Sequence, residues 1–392
     1  MIFSVEHLSY ERLREPVFLF RPKILSKKIN FFLNNFNGKA LYSVKTNPSR
    51  FVLESIYDLG LQSFDVASIN EIKILKNLLP NAEVFFMNPI KPRRSISEAY
   101  FDYGVRNFSL DDNGELKKIL EETNNATDLK LHMRLSVPNH SSSINLSKKF
   151  GIDYMAAPNL LRKVKEKSSE VGISFHTGSQ CMSPDAYMIA IKIAGEVIKN
   201  SQVDVDFFNV GGGFPTTYTK LKPVPIINYF NVIHREFDDL GLDVKVKLLA
   251  EPGRCLVAES MSLIVRVDLR KGRTLYINDG THSYLRDAGG QGFSHPVRLI
   301  NNEKINSDLI PFAFYGPTCD SNDFMQGPFY LPSSIKEGDL IEIGQMGSYS
   351  MTMKNNFNGF YSDSKVFVVD DNPFLSLRDL DQKIEKSKIE SF

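Results

Sequence analysis

A parallel (β/α)8 barrel of the TIM type followed by a smaller β domain is the fold predicted for this 392-residue chain. Three observations predict it. Eight short apolar runs recur through the first two-thirds of the sequence. Segments with helical spacing separate them. After about residue 255 the helical periodicity gives way to strand-like runs between Gly- and Pro-rich turns.

The eight runs are Ala40–Val44, Gln62–Val66, Glu83–Met87, Arg106–Leu110, Leu129–Val137, Gly172–Thr177, Val205–Val210 and Lys245–Ala250. Strands buried on both faces of a parallel sheet read as continuous apolar runs of this kind. Between them, Val52, Ile56 and Leu59 share one helical face, as do Ile72, Leu75 and Leu79, and Gly60 and Pro80 stop these helices. Eight β/α units need roughly 250 residues, which leaves room for a second domain. The expected barrel covers 26–255, and 1–25 joins 256–392 in the β domain. Met261–Leu269, Thr274–Asn278, Phe312–Tyr315, Leu340–Ile343 and Lys365–Val369 supply its strands, as an antiparallel barrel or sandwich. The charged tail DQKIEKSKIESF is expected to be a surface helix or a frayed end.

Composition narrows the function. Hydrophobic residues make up 42% and charged residues 24%, and the net charge is +1, so no basic footprint for nucleic acid exists. No apolar run reaches the roughly 18 residues of a membrane span. The N-terminus carries acidic residues and no apolar signal core. Cys181, Cys255 and Cys319 form a sparse, odd set, which argues for a reducing compartment, the cytoplasm, and against a disulfide framework. No metal site is expected.

In a parallel barrel, chemistry gathers where strands end. Lys45 ends the first run, where low water access makes an amine nucleophile; a surface lysine is the plainer alternative. Gly211, Gly212 and Gly213 follow the seventh run and either turn backbone N–H groups toward a phosphate or form a tight turn. Glu251 and Arg254 follow the eighth. They suit a pyridine nitrogen and a phosphate, or form an internal ion pair. His176 follows the sixth run and offers a flat ring or a core imidazole. Ser179 donates to phosphate or caps a turn. In YGPTCDSND, Asp320 beside Cys319 pairs with a cationic substrate or forms an Asx turn. Tyr349 reaches a phosphate or packs.

The joint order of YSVKTN, FDVAS, SFHTGSQ, NVGGGFP, AEPGR, YGPTCDSND and MGSYSM…FNGF along one chain resembles the fold-type III pyridoxal-phosphate (PLP) decarboxylases. That family includes ornithine, lysine, arginine and diaminopimelate decarboxylases, and the resemblance runs from Pro16 to Val369. It implies an alanine-racemase-like barrel with a C-terminal β domain. It also implies Lys45 as the Schiff-base lysine, Glu251 on the ring nitrogen and His176 on the ring face. Asp65 and Arg134 match supporting positions. Ser179, Gly211 to Gly213, Gly253, Arg254 and Tyr349 match the phosphate cradle. Cys319 matches the proton donor and Asp320 the residue gripping the distal amine, with Phe357 of FNGF beside the substrate.

The resemblance further implies a homodimer with shared active sites, in which Lys149 and Asp323 form an intersubunit ion pair. GPTCD is similar to the ornithine type, whose expected reaction is L-ornithine to putrescine in polyamine biosynthesis. An aromatic–Asp–His turn that contacts the amine there is Phe293-Ser294-His295 here, and Asp287 is a candidate replacement for the missing Asp. Lysine, arginine, diaminopimelate or a conjugated amino acid of siderophore or antibiotic assembly are the alternative substrates. Glu251 and Cys319 argue against a racemase of the same barrel. Intact cofactor contacts argue against a non-catalytic regulatory homologue.

Overall fold

The computed structural model describes residues 15–138, 142–144, 149–300, 308–360 and 365–370. The charged tail lies outside the described residues. Two compact units emerge among the described residues: one within 29–215 and 223–254, the other within 15–28, 216–222 and 255–370.

The chain enters through β1 (Val17–Phe20) and α1 (Pro22–Asn35), and then builds the first unit. Its elements are β2 (Lys39–Ser43), α2 (Arg50–Asp58), β3 (Ser63–Val66), α3 (Ile69–Leu78), β4 (Glu83–Phe86), α4 (Arg93–Phe101), β5 (Asn107–Leu110), α5 (Asn113–Glu122), β6 (Lys130–Arg134), β7 (Ser142–Ile144), α6 (Ala157–Lys167), β8 (Glu170–Ser174), β9 (Ser179–Cys181), α7 (Asp185–Ser201), β10 (Phe207–Asn209), α8 (Ile226–Asp239) and β11 (Lys247–Ala250). Strands β2, β3, β4, β5, β6, β8, β10 and β11 pair in parallel and close into a barrel, where β11 meets β2 through Leu249–Lys39 and Ala250–Ala40. β7 and β9 form a small antiparallel pair.

Alternating side chains fill the barrel, and Leu41, Phe85, Met87, Phe207 and Leu249 pack there as one buried cluster. Burying each such side chain is worth about 1.5–3 kcal/mol. The filling includes a histidine. His132 is fully buried, its ring lies 5.0 Å from Phe207, and Nε2 meets Asn107 Oδ1 at 3.1 Å. Burial pushes its pKa down to about 4, so it packs as a neutral ring. Gly172 is the consequence, because a Cβ there would stand 2.6 Å from His132 Nδ1.

The helices follow the sequence signals. Ser68 caps α3 by accepting from Glu71 N–H, while Glu71 returns to Ala67 N–H; Asp112 caps α5 through Gly114 N–H. The observed barrel strands fall inside or within two residues of the eight expected runs.

The second unit continues with α9 (Arg254–Val257), β12 (Met261–Lys271), β13 (Thr274–Ile277), α10 (Arg286–Gly289), β14 (Val297–Ile300), β15 (Leu309–Tyr315), β16 (Phe324–Pro332), β17 (Leu340–Ile343) and β18 (Val366–Val368). One sheet runs β14-β17-β12-β13-β15-β16, and β1 joins β12 and β18. Most pairs are antiparallel, but β13–β15 and β1–β18 are parallel. β12 turns the sheet: its first half pairs with β1 and β17 and its second half with β13, past a bulge between Val267 and Leu269.

Val17, Leu19, Ile264, Leu340 and Val369 form the core of this unit. Beside it, Glu342 is fully buried and holds Arg21 at 2.8 Å and Arg298 at 2.5 Å. Residues 216–222, expected in the barrel domain, group with the β unit instead. Tyr218 packs at 4.8 Å on Phe293 and 5.1 Å on His295, and Thr219 N–H donates to Ser294 O. A barrel insertion has been captured by aromatic contacts that no local pattern reveals.

Candidate active site

The C-terminal ends of the barrel strands collect the polar residues. Lys45 sits in a single helical turn, Val44–Thr46, directly after β2. Its Nζ lies 2.5 Å from Asp65 Oδ2, on β3, and donates to Ser43 Oγ at 3.3 Å. Ser43 donates to the same Asp65 oxygen at 2.9 Å. Ser43 is the last residue of β2, and the turn that follows it brings the Lys45 amine back to the Ser43 hydroxyl. Asp65 is buried, and Lys45 is partly open to solvent. The amine is therefore held on one side and reachable on the other.

Glu251 follows β11 and is likewise buried. Asn209 Nδ2 donates to its Oε1 at 2.8 Å, and its own N–H donates to Gly211 O at 2.8 Å. Burial raises its pKa to about 7; the negative charge of Asp65 adds to this, while Lys45, Arg134 and the Asn209 hydrogen bond oppose it. Arg134 ends β6 over the Phe150 ring at 5.5 Å, and burial lowers its pKa. His176 follows β8. Its Nδ1 accepts Gly178 N–H at 2.9 Å, and burial, then Arg134 and Lys45, hold it well below the usual imidazole range. It is a neutral flat ring at neutral pH.

The glycine run after β10 turns here. Gly211 and Gly213 have φ of +68° and +105°, where a Cβ is strained. A Cβ on Gly212 would also stand 3.1 Å from His176 Nε2. Gly253 has Thr46 Oγ1 where a Cβ would go, and that hydroxyl is buried without a hydrogen-bond partner among the described residues. Ser179 opens β9 and Arg254 opens α9, with Arg254 buried.

The remaining expected residues lie in the β unit. Cys319 is exposed, and its N–H donates to Asn358 Oδ1 at 3.0 Å. Asp320 accepts from Asn322 N–H at 2.9 Å and meets His282 Nε2 at 2.8 Å. Phe357 packs on His282 at 4.8 Å. Asp287 is buried at the start of α10, and Tyr349 takes a left-handed φ of +56°. Such backbone strain gathers at sites held by their surroundings.

Asp323 is anchored within its own chain. Its carboxylate has no exposed surface and accepts from the N–H and hydroxyl groups of both Thr281 and Thr318. With four donors inside its own chain, it pins two loops together. Sequence reasoning missed Ser43, Asn209 and His282. The first two stand two residues from singled-out positions; His282 is 38 residues from Asp320 and carries no sequence signal.

This donor set selects a cofactor. A buried acid with a pKa near 7 suits a basic ring nitrogen, to which it gives its proton and beside which it then stands as the counter-charge, and a reachable amine wants a carbonyl. A neutral flat ring and a glycine turn suit an aromatic ring and a phosphate. The residues thus fit pyridoxal phosphate, and the fold and site define a barrel-type PLP enzyme.

Comparison with known proteins agrees. Residues 23–258 match the family described as pyridoxal-dependent decarboxylase, pyridoxal binding domain. The lysine/ornithine decarboxylase of Selenomonas ruminantium is 29% identical over 346 residues, covering 86% of this chain and 85% of that protein. The ornithine decarboxylase of Caenorhabditis elegans is 29% identical over 361 residues, covering 86% and 83%. The crystal structure of the Paramecium bursaria Chlorella virus arginine decarboxylase matches with a TM-score of 0.81 at 25% identity, covering 91% of this chain and 96% of that one. The chain belongs to the pyridoxal-dependent decarboxylase family and is a PLP-dependent amino-acid decarboxylase.

Proposed function

We propose that the protein decarboxylates a basic L-amino acid with a terminal amine, most simply L-ornithine to putrescine, as a step in making polyamines. The observation that carries this is the Asp320 carboxylate beside Cys319: three donors fix it, and Asn322 N–H first and His282 second hold its pKa below the usual carboxylate range. An anchored, ionised carboxylate is what a distal ammonium needs. The named relatives act on ornithine, lysine and arginine, which supports a basic substrate.

Pyridoxal phosphate, when bound, supplies the electron sink into which the pair of the broken Cα–CO2 bond passes. Lys45 would hold the cofactor at its aldehyde carbon. Asp65 and Ser43 position that amine. Glu251 keeps a proton on the pyridine nitrogen. His176 would lie against the ring, and Arg134 tempers the local negative charge. Ser179, Gly211 to Gly213, Gly253, Arg254 and Tyr349 would hold the phosphate. Cys319 returns a proton to Cα. In this reading two copies form a homodimer in the cytoplasm, and Cys319 and Asp320 of one serve the barrel of the other. Asp287 and Phe357 border the substrate.

The test is CO2 and amine formation by PLP-loaded protein from L-ornithine, L-lysine, L-arginine and meso-diaminopimelate, each alone. Rapid putrescine formation is expected. Silence on all four with intact cofactor absorbance would replace this reading with a larger, conjugated substrate.

A further inference from the structure

The carboxylate of Asp320 is already largely engaged. Oδ1 accepts Asn322 N–H at 2.9 Å and Asn322 Nδ2–H at 3.1 Å. Oδ2 meets His282 Nε2 at 2.8 Å. A carboxylate offers about four lone-pair sites, two on each oxygen. Among the described residues, three are therefore taken: Oδ1 is saturated and Oδ2 keeps one. Asp320 is ionised and accepts only, so the Nε2 of His282 is the donor.

His282 is itself held in place. The Phe357 ring lies 4.8 Å away at an interplanar angle of 33°. Asn355 N–H donates to His282 O at 3.0 Å, and Asn355 Nδ2 approaches His282 Nδ1 at 3.5 Å. An acceptor at Nδ1 matches a proton at Nε2. The Phe357–Gly359 turn also supplies Asn358 Oδ1 to Cys319 N–H. One short segment thus clamps both the imidazole and the peptide before Cys319.

We propose that His282 is a positioning residue that sets substrate class: by occupying Oδ2 it leaves Asp320 a single acceptor site, which admits a primary ammonium and disfavours a guanidinium. A guanidinium pairs best with a carboxylate through two parallel N–H bonds, one to each oxygen. A guanidinium therefore needs two open acceptor sites and Asp320 keeps one; with His282 gone Oδ2 alone has two and takes both N–H groups end-on, and with the Asn322 side chain gone Oδ1 opens to the fork. An ammonium is a compact charge that needs one contact. The enzyme therefore prefers ornithine or lysine to arginine. This inference rests on the reading of Asp320 as the residue that grips the distal amine.

The experiment compares wild type, His282→Ala, His282→Gln, Asn322→Ala and Asp320→Ala as holoenzymes. It measures kcat and KM for L-ornithine, L-lysine and L-arginine, and calorimetric Kd for putrescine, cadaverine and agmatine. Wild type should favour the primary amines in both series. His282→Ala should raise the arginine-to-ornithine ratio of kcat/KM about tenfold, the weight of one charge-assisted hydrogen bond. The change should appear chiefly as a lower KM for arginine. His282→Gln, which restores an N–H at similar reach, should return the ratio toward wild type. Asn322→Ala frees a site on Oδ1 and should shift the ratio the same way, which keeps the test alive if His282→Ala does not fold.

A wild-type preference for arginine and agmatine overturns the inference. So does an unchanged ratio in both His282→Ala and Asn322→Ala while Asp320→Ala weakens every substrate; the reading of Asp320 then survives. If Asp320→Ala changes no KM and no Kd, or if no amine binds the wild type, that underlying reading falls and the inference with it.

Discussion

Lys45 Nζ stands 2.5 Å from Asp65 Oδ2, across the first two strands of the barrel, with Ser43 donating to the same oxygen. The amine is thus placed by its neighbours and not by its own long side chain. Lys45→Ala should abolish both CO2 release and the visible absorbance of bound pyridoxal phosphate. Asp65→Asn should keep the lysine but weaken cofactor binding about tenfold, since a hydrogen bond to a charged group is worth about 1.5–3 kcal/mol. Cofactor titration by absorbance and CO2 capture read both. Turnover retained in Lys45→Ala would refute its role.

Glu251 predicts a pH signature. Its folded pKa of about 7 exceeds its ordinary value of 4.5 because burial, and then Asp65, disfavour its charge. The folded apo-protein keeps a proton that the unfolded chain releases across this interval. This stabilisation is complete below pH 4.5 and is lost as pH rises through 7. Asp279, raised by burial from 3.8 to about 7, acts with the same sign. The Tm difference between wild-type and Glu251→Gln apo-protein should therefore decline from pH 4.5 to 7. A difference that grows with pH would refute the assignment. In the holoenzyme, Glu251→Gln should lower kcat by roughly a hundredfold or more, the scale of a lost positioned acid.

The buried group Arg21–Glu342–Arg298 predicts a contrast in stability. Arg21→Met leaves the fully buried Glu342 with Arg298 and Ser262 as partners. Breaking a buried pair typically costs about 3–5 kcal/mol, whereas replacing all members with apolar residues is near neutral. Urea denaturation of Arg21→Met should show the larger loss. The triple replacement Arg21→Met, Glu342→Leu, Arg298→Met should recover much of it. A triple variant weaker than the single would mean that the charges themselves hold the sheet.

Cys319 is exposed and backed by Asn358. Cys319→Ala should keep much of the CO2 release while slowing amine formation, because only the proton returned to Cα is lost. The ratio of amine to CO2 should fall below one. Unchanged amine formation would remove Cys319 as the donor.

Legibility followed burial. The barrel strands could be read because parallel strands covered on both faces become continuous apolar runs. β16 escaped: FMQGPFYLP holds Gly327, Pro328 and Pro332, which locally argue against a strand, yet pairing with β15 from Leu309 to Tyr315 sustains it. β1 and β14 were not singled out as strands, and residues 216–222 group with the β unit through aromatic partners far along the chain.

By itself the sequence determined the order of strands and helices, the glycine turns, and which polar residues follow which barrel strand. These are matters of local periodicity and backbone freedom. Only the tertiary structure decided that Ser43 and Asp65 share the amine of Lys45, that Asp323 is consumed within its own chain, and that His282 holds one oxygen of Asp320. Hydrogen bonds depend on separations of about 3 Å in space. Between residues tens of positions apart, no pattern along the chain encodes that distance.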